Sequence, residues 1–113
     1  MLETKLNVTQ ICSYIGIPSN LIGYHFITSS IEEIKNTNNY RISVTKQLYP
    51  TIAKKFNTTS DSIERSIRHA IQVASKNPLF LNRLEKLLGF QPTFTKGDKP
   101  TNSELLTLLA THL

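Results

Sequence analysis

Apolar residues recur along the chain at spacings of three and four positions, in blocks separated by proline, asparagine and glycine. This period is typical of α-helices with one buried face, and strand-like alternation is nearly absent, so the pattern predicts an all-α protein. About six helices are expected. Their apolar stripes are Val8, Ile11, Cys12 and Ile15; Leu21, Tyr24, Ile27, Ile31 and Ile34; Val44, Leu48, Ile52 and Phe56; Ile63, Ile67, Ala70, Ile71 and Ala74; Leu79, Leu81, Leu84, Leu87 and Leu88; and Leu105, Leu106, Leu109 and Leu113.

Capping and helix-breaking residues predict where these helices begin and end. They are Gly16 to Pro18 after the first helix, Ser19 or Asn20 before the second and Asn36 to Asn39 after it, Pro50 in the first turn of the third, Thr59 or Ser60 before the fourth, Gly89 after the fifth, and the capping-box spacing of Thr101 and Glu104 before the sixth. A chain of 113 residues supports one hydrophobic core, so residues 1–113 are expected to form a single domain.

The segment 49–76 has the layout of a helix-turn-helix. Small Ala53 allows two helices to cross closely, and Asn57 occupies the turn position that often needs a left-handed backbone. The seam between the helices is expected to be filled by Ile52, Phe56, Ile63 and Ile67. Since such units also occur in helical domains that bind no DNA, the pattern by itself leaves both readings open.

Net charge adds to this picture once it is located. The chain carries +5, and residues 41–76 alone have a balance of +5, against −1 before them and +1 after them. The charged side chains of that segment are Arg41, Lys46, Lys54, Lys55, Arg65, Arg68 and Lys76, with Asp61 and Glu64. A concentrated basic face attracts polyanions because neutralised phosphates release counterions, although a solvated basic surface shows the same composition.

The fourth helix separates its apolar and polar residues onto opposite faces. At about 100° per residue, its outward face carries Asp61, Arg65, Arg68, His69, Gln72 and Lys76. In the major groove, Arg65 is placed to read guanine and Glu64 to accept from a cytosine amino group. The alternative is an intrahelical ion pair between Asp61 or Glu64 and Arg65 or Arg68. We assign Lys54, Lys55, Arg68 and Lys76 to phosphates.

Other functional classes find little support. No apolar run is long enough to span a bilayer, Met1 to Lys5 does not begin a signal peptide, and we expect a cytoplasmic protein without membrane contact. Cys12 has no cysteine partner and is expected in the core, while His25, His69 and His112 are too far apart for a metal site. We expect no cofactor and no enzyme activity, because no nucleophile, base and orienting acid can be assembled.

Several segments, in order, resemble one known family. They are Gly16-Ile17-Pro18, Gly23-Tyr24, Leu48-Tyr49-Pro50, Ile52 to Thr59, Ile63-Glu64-Arg65, Ile67 to Ile71, Val73-Ala74, Leu88-Gly89-Phe90 and Lys99 to Glu104. Across nearly the whole chain they look like the C-terminal DNA-binding domain of the sporulation master response regulator, stage zero sporulation protein A. The resemblance implies a six-helix fold of the winged-helix-like, response-regulator effector type. It also implies binding to tandem boxes with a TGTCGAA-like core.

The resemblance also implies site residues. Glu64 and Arg65 match the family's base-reading pair, and Arg68, His69 and the loop from Lys96 to Ser103 lie where the family approaches bases or backbone. We therefore expect base contacts from Ser62, Glu64, Arg65 and His69. Phosphate contacts are expected from Lys54, Lys55, Arg68, Lys76, Lys96, Lys99 and Ser103.

The chain departs from the family at several positions. Ser62 stands where an arginine is usual, which weakens one base contact, and Ser75 replaces an expected aromatic residue. Lys76 to Leu88 differs strongly in the region that touches the RNA polymerase sigma subunit in the family, which favours a repressor or competitor over an activator. Met1 lies about where the effector domain begins, which indicates an excised domain or a free-standing product. We expect the second, a regulator not gated by its own phosphorylation.

Two functional hypotheses follow. The first is a sequence-specific, double-stranded DNA-binding transcriptional regulator that acts as repressor or competitor, with a homodimer on tandem sites as one arrangement. The second is a helical protein–protein interaction module that kept the fold without DNA binding. In that case Leu79 to Leu88 and the leucine-rich last helix would offer an apolar patch to a partner.

Overall fold

The computed structural model describes residues 7–112, which fold into helices joined by loops, the longest of which covers residues 89–101. Their order is α1 (Val8–Tyr14), α2 (Ile22–Thr37), a π-helical turn (Val44–Leu48), α3 (Tyr49–Lys55), α4 (Ser60–Ser75), α5 (Leu79–Leu88) and α6 (Asn102–His112). No strand forms in this part of the chain, where β pairing is limited to an isolated bridge between Phe94 and Gly97. The prediction of an all-α protein with six α-helices is confirmed. Among residues 7–112, no helix is both long and apolar enough to cross a membrane.

The two longest helices, α2 and α4, pack directly against each other, and α6 packs against both. Helices α2 and α4 approach each other closely at Gly23, where an added Cβ would overlap the backbone oxygen of Ser66 and lie 2.8 Å from Cβ of Ala70. Only glycine allows this spacing without a shift of one helix, because the obstructing atom belongs to the backbone. The crossing therefore fixes the position of α4 relative to the rest of the core.

The start of α2 differs from the prediction. Its N-cap is Leu21, which has no side-chain capping bond, and not Ser19 or Asn20. Ser19 and Asn20 instead lie inside a turn that is closed by a hydrogen bond from Leu21 N to Pro18 O (3.2 Å). The helix also continues beyond Ile34 to Thr37 and ends at Asn38, whose φ of 55° is left-handed.

The third predicted helix consists of two parts. Ser43 caps a π-helical turn by accepting from Lys46 N (3.2 Å), and Leu48 N donates to Ser43 O (3.0 Å). Tyr49–Lys55 then forms α3, with Pro50 in its first turn as predicted. Proline has no N–H to donate, so it is tolerated where a new helical register begins.

The apolar face predicted for α5 needs correction, whereas the stripe predicted for α6 is confirmed for Leu105, Leu106 and Leu109. In α5, Phe80 and Leu84 face the core, whereas Leu79 is 48% exposed. In α6, Leu105, Leu106 and Leu109 are buried, so they do not form the surface patch that a protein-interaction module would need. The predicted contribution of Leu113 lies outside the described residues.

Candidate nucleic-acid interface

The helix-turn-helix consists of α3, the turn 56–59 and α4. Asn57 has a φ of 54°, which confirms the left-handed turn position, and Thr58 N donates to Ala53 O (2.9 Å) to close the turn. Ala53 is buried at the crossing, as predicted. Ile52, Ile63 and Ile67 are fully buried in the seam.

Phe56 does not fill that seam. It follows the last residue of α3 with φ −99° and ψ 8°, so its side chain leaves the helical stripe. Its ring is 36% exposed and packs edge-on against Phe26 of α2, with the ring centroids 5.1 Å apart. The prediction failed because the i, i+4 period was extended one residue beyond the end of the helix.

The second helix of the helix-turn-helix, α4, forms as predicted. Thr59 is its N-cap and accepts from Ser62 N (3.1 Å), and Asp61 lies in the first turn. The predicted apolar stripe is completely buried: Ile63, Ile67, Ala70, Ile71 and Ala74. On the opposite face Arg65, Arg68 and His69 are exposed. Packing thus turns a row of hydrogen-bond donors towards solvent.

A groove with a volume of about 430 Å³ runs along one flank of α4, between that helix and the loop before α6. Side chains from both elements line it, and the candidate contact residues among them are Glu64, Arg68, Lys96, Lys99 and Ser103. Residues separated by more than thirty positions in sequence therefore meet at one surface. The fold brings Lys96 and Lys99 of the loop beside α4.

A second groove, of about 370 Å³, follows the other flank of α4, against the start of α2. It is lined by Ser62, Arg65 and His69 together with Leu21, Ile22, Gly23 and Ser66. The predicted base-reading residues are therefore divided, with Glu64 on one flank of the helix and the other three on the opposite flank. The helix forms the ridge between the two grooves.

Glu64 pairs with Arg68 and not with Arg65. Arg68 Nη1 lies 3.2 Å from Glu64 Oε2, and the two side chains are 54% and 36% exposed, respectively. Arg65 instead uses Nε to donate to the backbone oxygen of Asp61 (3.4 Å). The intrahelical ion pair considered as an alternative thus forms, but it takes only one carboxylate oxygen of Glu64.

Asn102, the first residue of α6, lies in the segment from Lys96 to Ser103 that the family resemblance implied, but no role was predicted for its side chain. Its Nδ2 donates to the hydroxyl of Tyr49 (3.0 Å) and to the backbone oxygen of Glu64 (3.0 Å). Tyr49 is buried, which raises the pKa of its phenol, while the hydrogen bond from Asn102 acts in the opposite direction. The sequence indicated Asn102 only through that segment and through the motif that opens α6; no periodicity indicates that it meets α3 and α4.

Glu104 completes the capping box and also holds the preceding loop. Its backbone N donates to Thr101 Oγ1 (3.2 Å), and its Oε1 accepts from Thr101 N (2.9 Å), as predicted for this cap. Its second oxygen, Oε2, accepts from Thr95 N (3.0 Å). These bonds, led by the one from Thr101 N, lower the pKa of the Glu104 carboxyl because they stabilise its charged form.

Comparison with known protein families identifies the chain. Residues 8–113 match the family model described as "Sporulation initiation factor Spo0A C terminal". The chain belongs to this family. Spo0A C-terminal domains are DNA-binding domains of sporulation transcription regulators and are not an enzyme family. The matched range includes every candidate contact residue named above.

In this Spo0A C-terminal domain, three candidate phosphate contacts lie outside both grooves. Lys54 and Lys55 are exposed in the last turn of α3, and Lys76 is exposed at the end of α4. Because α4 has 16 residues, Lys76 lies about 24 Å along the helix from its start. The fold places these cations at the two ends of α4.

Within residues 7–112, no cluster of three or more His, Cys, Asp or Glu side chains is arranged to hold a metal ion.

Proposed function

We propose that this domain binds double-stranded DNA sequence-specifically, with α4 in the major groove of a box that has a TGTCGAA-like core. The observation that carries the proposal is the outward face of α4. Arg65, Arg68 and His69 are exposed there, while the opposite face of the same helix is buried in the core. A helix-turn-helix places such a helix in the major groove, where its outward side chains contact base edges and phosphates.

Arg65 and Glu64 have distinct base-reading roles in this proposal. The bond from Arg65 to Asp61 uses Nε, and the two terminal nitrogens of the guanidinium are the ones that pair with O6 and N7 of guanine. Arg68 holds Oε2 of Glu64, which leaves Oε1 to accept from a cytosine amino group. Together they suit a step that contains a C·G pair. Ser62 and His69 flank Arg65 as weaker base contacts.

The other candidate residues contact phosphates, and such contacts set affinity and orientation. We assign phosphate contacts to Lys54 and Lys55 on one side of the turn, to Lys76 at the far end of α4, and to Arg68, Lys96, Lys99 and Ser103 around the larger groove. Exposed lysines bind phosphate as point charges and read no sequence. The number of phosphates that these cations neutralise determines how strongly the binding affinity depends on salt.

Binding to matched duplexes tests the proposal. One duplex carries a TGTCGAA-type core and the other carries the same bases in scrambled order, and affinities are measured over a series of salt concentrations. We expect tighter binding to the core at every salt concentration, with both affinities falling as salt rises. Equal affinity for the two duplexes would refute sequence-specific recognition.

We also propose that the domain acts as a repressor or competitor, because Lys76 to Leu88, the region that corresponds to the family's sigma-contacting surface, departs from the family pattern. In the structure this region includes exposed Lys76 and Leu79. In a purified transcription assay with a tandem-box promoter, the domain should lower the yield obtained with a family activator. Stimulation of transcription by the domain alone would contradict this.

A further inference from the structure

We propose that Asn102 and Glu104 are positioning residues that hold the loop carrying Lys96 and Lys99 in register with the recognition helix, so that loop and helix contact one DNA segment. This inference rests on the proposed DNA binding and extends it from the residues that contact DNA to two residues that hold them in place. Two hydrogen-bonded links carry it, and both start from residues in the first turn of α6.

The first link joins α6 to the helix-turn-helix. A single amide group, Nδ2 of Asn102, donates to the Tyr49 hydroxyl at the start of α3 and to the Glu64 backbone oxygen within α4, both at 3.0 Å. Tyr49 is buried, so its hydroxyl is held in place by packing. Asn102 therefore ties α6 to both α3 and α4. Its bond to α4 is made at Glu64, which also lines the larger groove.

The second link joins α6 to the loop. The Glu104 carboxylate accepts from Thr101 N with one oxygen (2.9 Å) and from Thr95 N with the other (3.0 Å). Thr95 directly precedes Lys96, and Pro100, which directly follows Lys99, is buried. The lysine-bearing segment is thus held at both ends, while Lys96 and Lys99 remain exposed at the groove.

The two links form one continuous connection from the Glu64 backbone, through Asn102 and Glu104, to Thr95. Lysines on an unfixed loop would still attract DNA, but they would do so without a defined phosphate partner. When the connection is intact, the loop cations reach the phosphates beside the bases that α4 contacts. The neutral residue Asn102 should therefore influence how many counterions DNA binding releases.

The salt dependence of binding by Asn102→Ala tests this. The variant removes no charge and leaves the Thr101–Glu104 cap intact. We expect the slope of log affinity against log salt for the core duplex to become shallower by about 1 to 2, the contribution of one or two phosphate contacts. A merely structural role would lower affinity by a constant factor and leave the slope unchanged, and that result would overturn the inference.

A double-mutant cycle with Lys96→Ala/Lys99→Ala provides the matched control. In that background Asn102→Ala should leave the slope unchanged, because the cations that it positions are absent. An equal change of slope in both backgrounds would contradict the inference.

Glu104→Gln tests the same connection from the loop side and replaces the first variant if Asn102→Ala is not folded by circular dichroism. It raises the net charge by one, so simple electrostatics predicts tighter binding and a steeper slope. We expect a shallower slope. Glutamine has a single side-chain oxygen, so the backbone N of Thr95 or of Thr101 loses its acceptor and the loop is no longer held at that point. A steeper slope would refute positioning by Glu104. Wild-type protein without core preference would instead refute the proposed function, which separates the two failures.

Discussion

Arg65 and Arg68 lie one helical turn apart on α4, and their surroundings give them different roles. Arg68 forms an ion pair with Glu64, whereas Arg65 contacts a backbone oxygen of its own helix. Both are exposed, so neither interaction contributes much to stability. They differ in geometry: Arg68 contacts one oxygen of the Glu64 carboxylate, and the bond of Arg65 uses Nε and not its terminal nitrogens.

Arg65→Ala should therefore weaken binding mainly at the core sequence. The expected loss is about 1–3 kcal/mol on the core duplex, because a bidentate base contact disappears. Fluorescence anisotropy with core and scrambled duplexes measures it. Lys54→Ala is the matched control, since it should weaken binding to both duplexes alike and reduce the salt slope by about 1. Loss of affinity for both duplexes in Arg65→Ala would place Arg65 on phosphate.

Cys12 shows the opposite kind of environment. It is fully buried in α1, and burial, followed by the negative charge of Glu32, raises its pKa to about 12. Because the thiolate is the reactive form, alkylation of the native protein by iodoacetamide at mildly alkaline pH should be slow. Mass spectrometry should show rapid modification once the protein is unfolded in guanidinium chloride. Equally rapid labelling of the native protein would be inconsistent with a core position.

At the scale of helices, the crossing of α2 and α4 determines where the recognition helix lies. The two helices approach closely at Gly23, and the atom that faces it is the backbone oxygen of Ser66. A backbone oxygen cannot rotate aside as a side chain can. Any residue larger than glycine must therefore separate the two helices, and both the core and the groove between them would change.

Gly23→Ala should destabilise the fold by about 1–3 kcal/mol, the usual cost of overpacking. Alanine gains roughly 1 kcal/mol in helix propensity, but the overlap with backbone outweighs that gain. Urea denaturation measures the change. The control is Asn36→Ala, an exposed position of the same helix, which should cause no loss of stability. Equal stability of Gly23→Ala and wild type would show that the helices can separate freely.

The cap of α6 predicts a specific pH dependence. The pKa of Glu104 is lower in the folded protein than in the unfolded chain, so its contribution to stability is present above the unfolded-state pKa and is lost as pH falls through the folded-state pKa. Urea denaturation between about pH 3 and 7 measures the free energy of unfolding. It should fall less on acidification in Glu104→Gln than in the wild type. Identical pH profiles for the variant and wild type would exclude this role of the carboxylate.

At the scale of the whole molecule, size limits how two copies can share DNA. The domain measures 39 × 33 × 27 Å, which corresponds to about 8–11 base pairs at a rise of 3.4 Å per pair. Two copies whose boxes are centred one helical turn apart would lie side by side on the same face of the duplex. Copies on opposite faces could not touch.

We therefore expect cooperative binding of two copies to tandem boxes centred about 10 base pairs apart. Insertion of about five further base pairs should abolish cooperativity, because it moves the second box to the opposite face. Titrations followed by gel shift and analytical ultracentrifugation measure stoichiometry and cooperativity. A duplex with a single box is the control and should bind one copy. Cooperativity that survives the insertion would exclude contact between neighbouring copies.

Local features of the candidate site could be predicted because they depend on residues close in sequence. The left-handed turn at Asn57, the cap at Thr59 and the capping box of Thr101 and Glu104 need only a few neighbouring residues and their backbone preferences. The opposite faces of α4 follow from the helical period. Predictions failed where that period was extended past a helix end, as at Phe56, or was shifted by one residue, as at Leu79 and Phe80.

The sequence by itself determined the six helices, the helix-turn-helix and the row of donors on α4, because periodicity, capping and charge are properties of short segments. Only the tertiary structure decided which side chains meet. The pairing of Asn102 with Tyr49 and Glu64, and the position of Lys96 and Lys99 beside α4, connect residues far apart in the chain. Such contacts depend on how helices pack, and packing is set by the shape of the whole core.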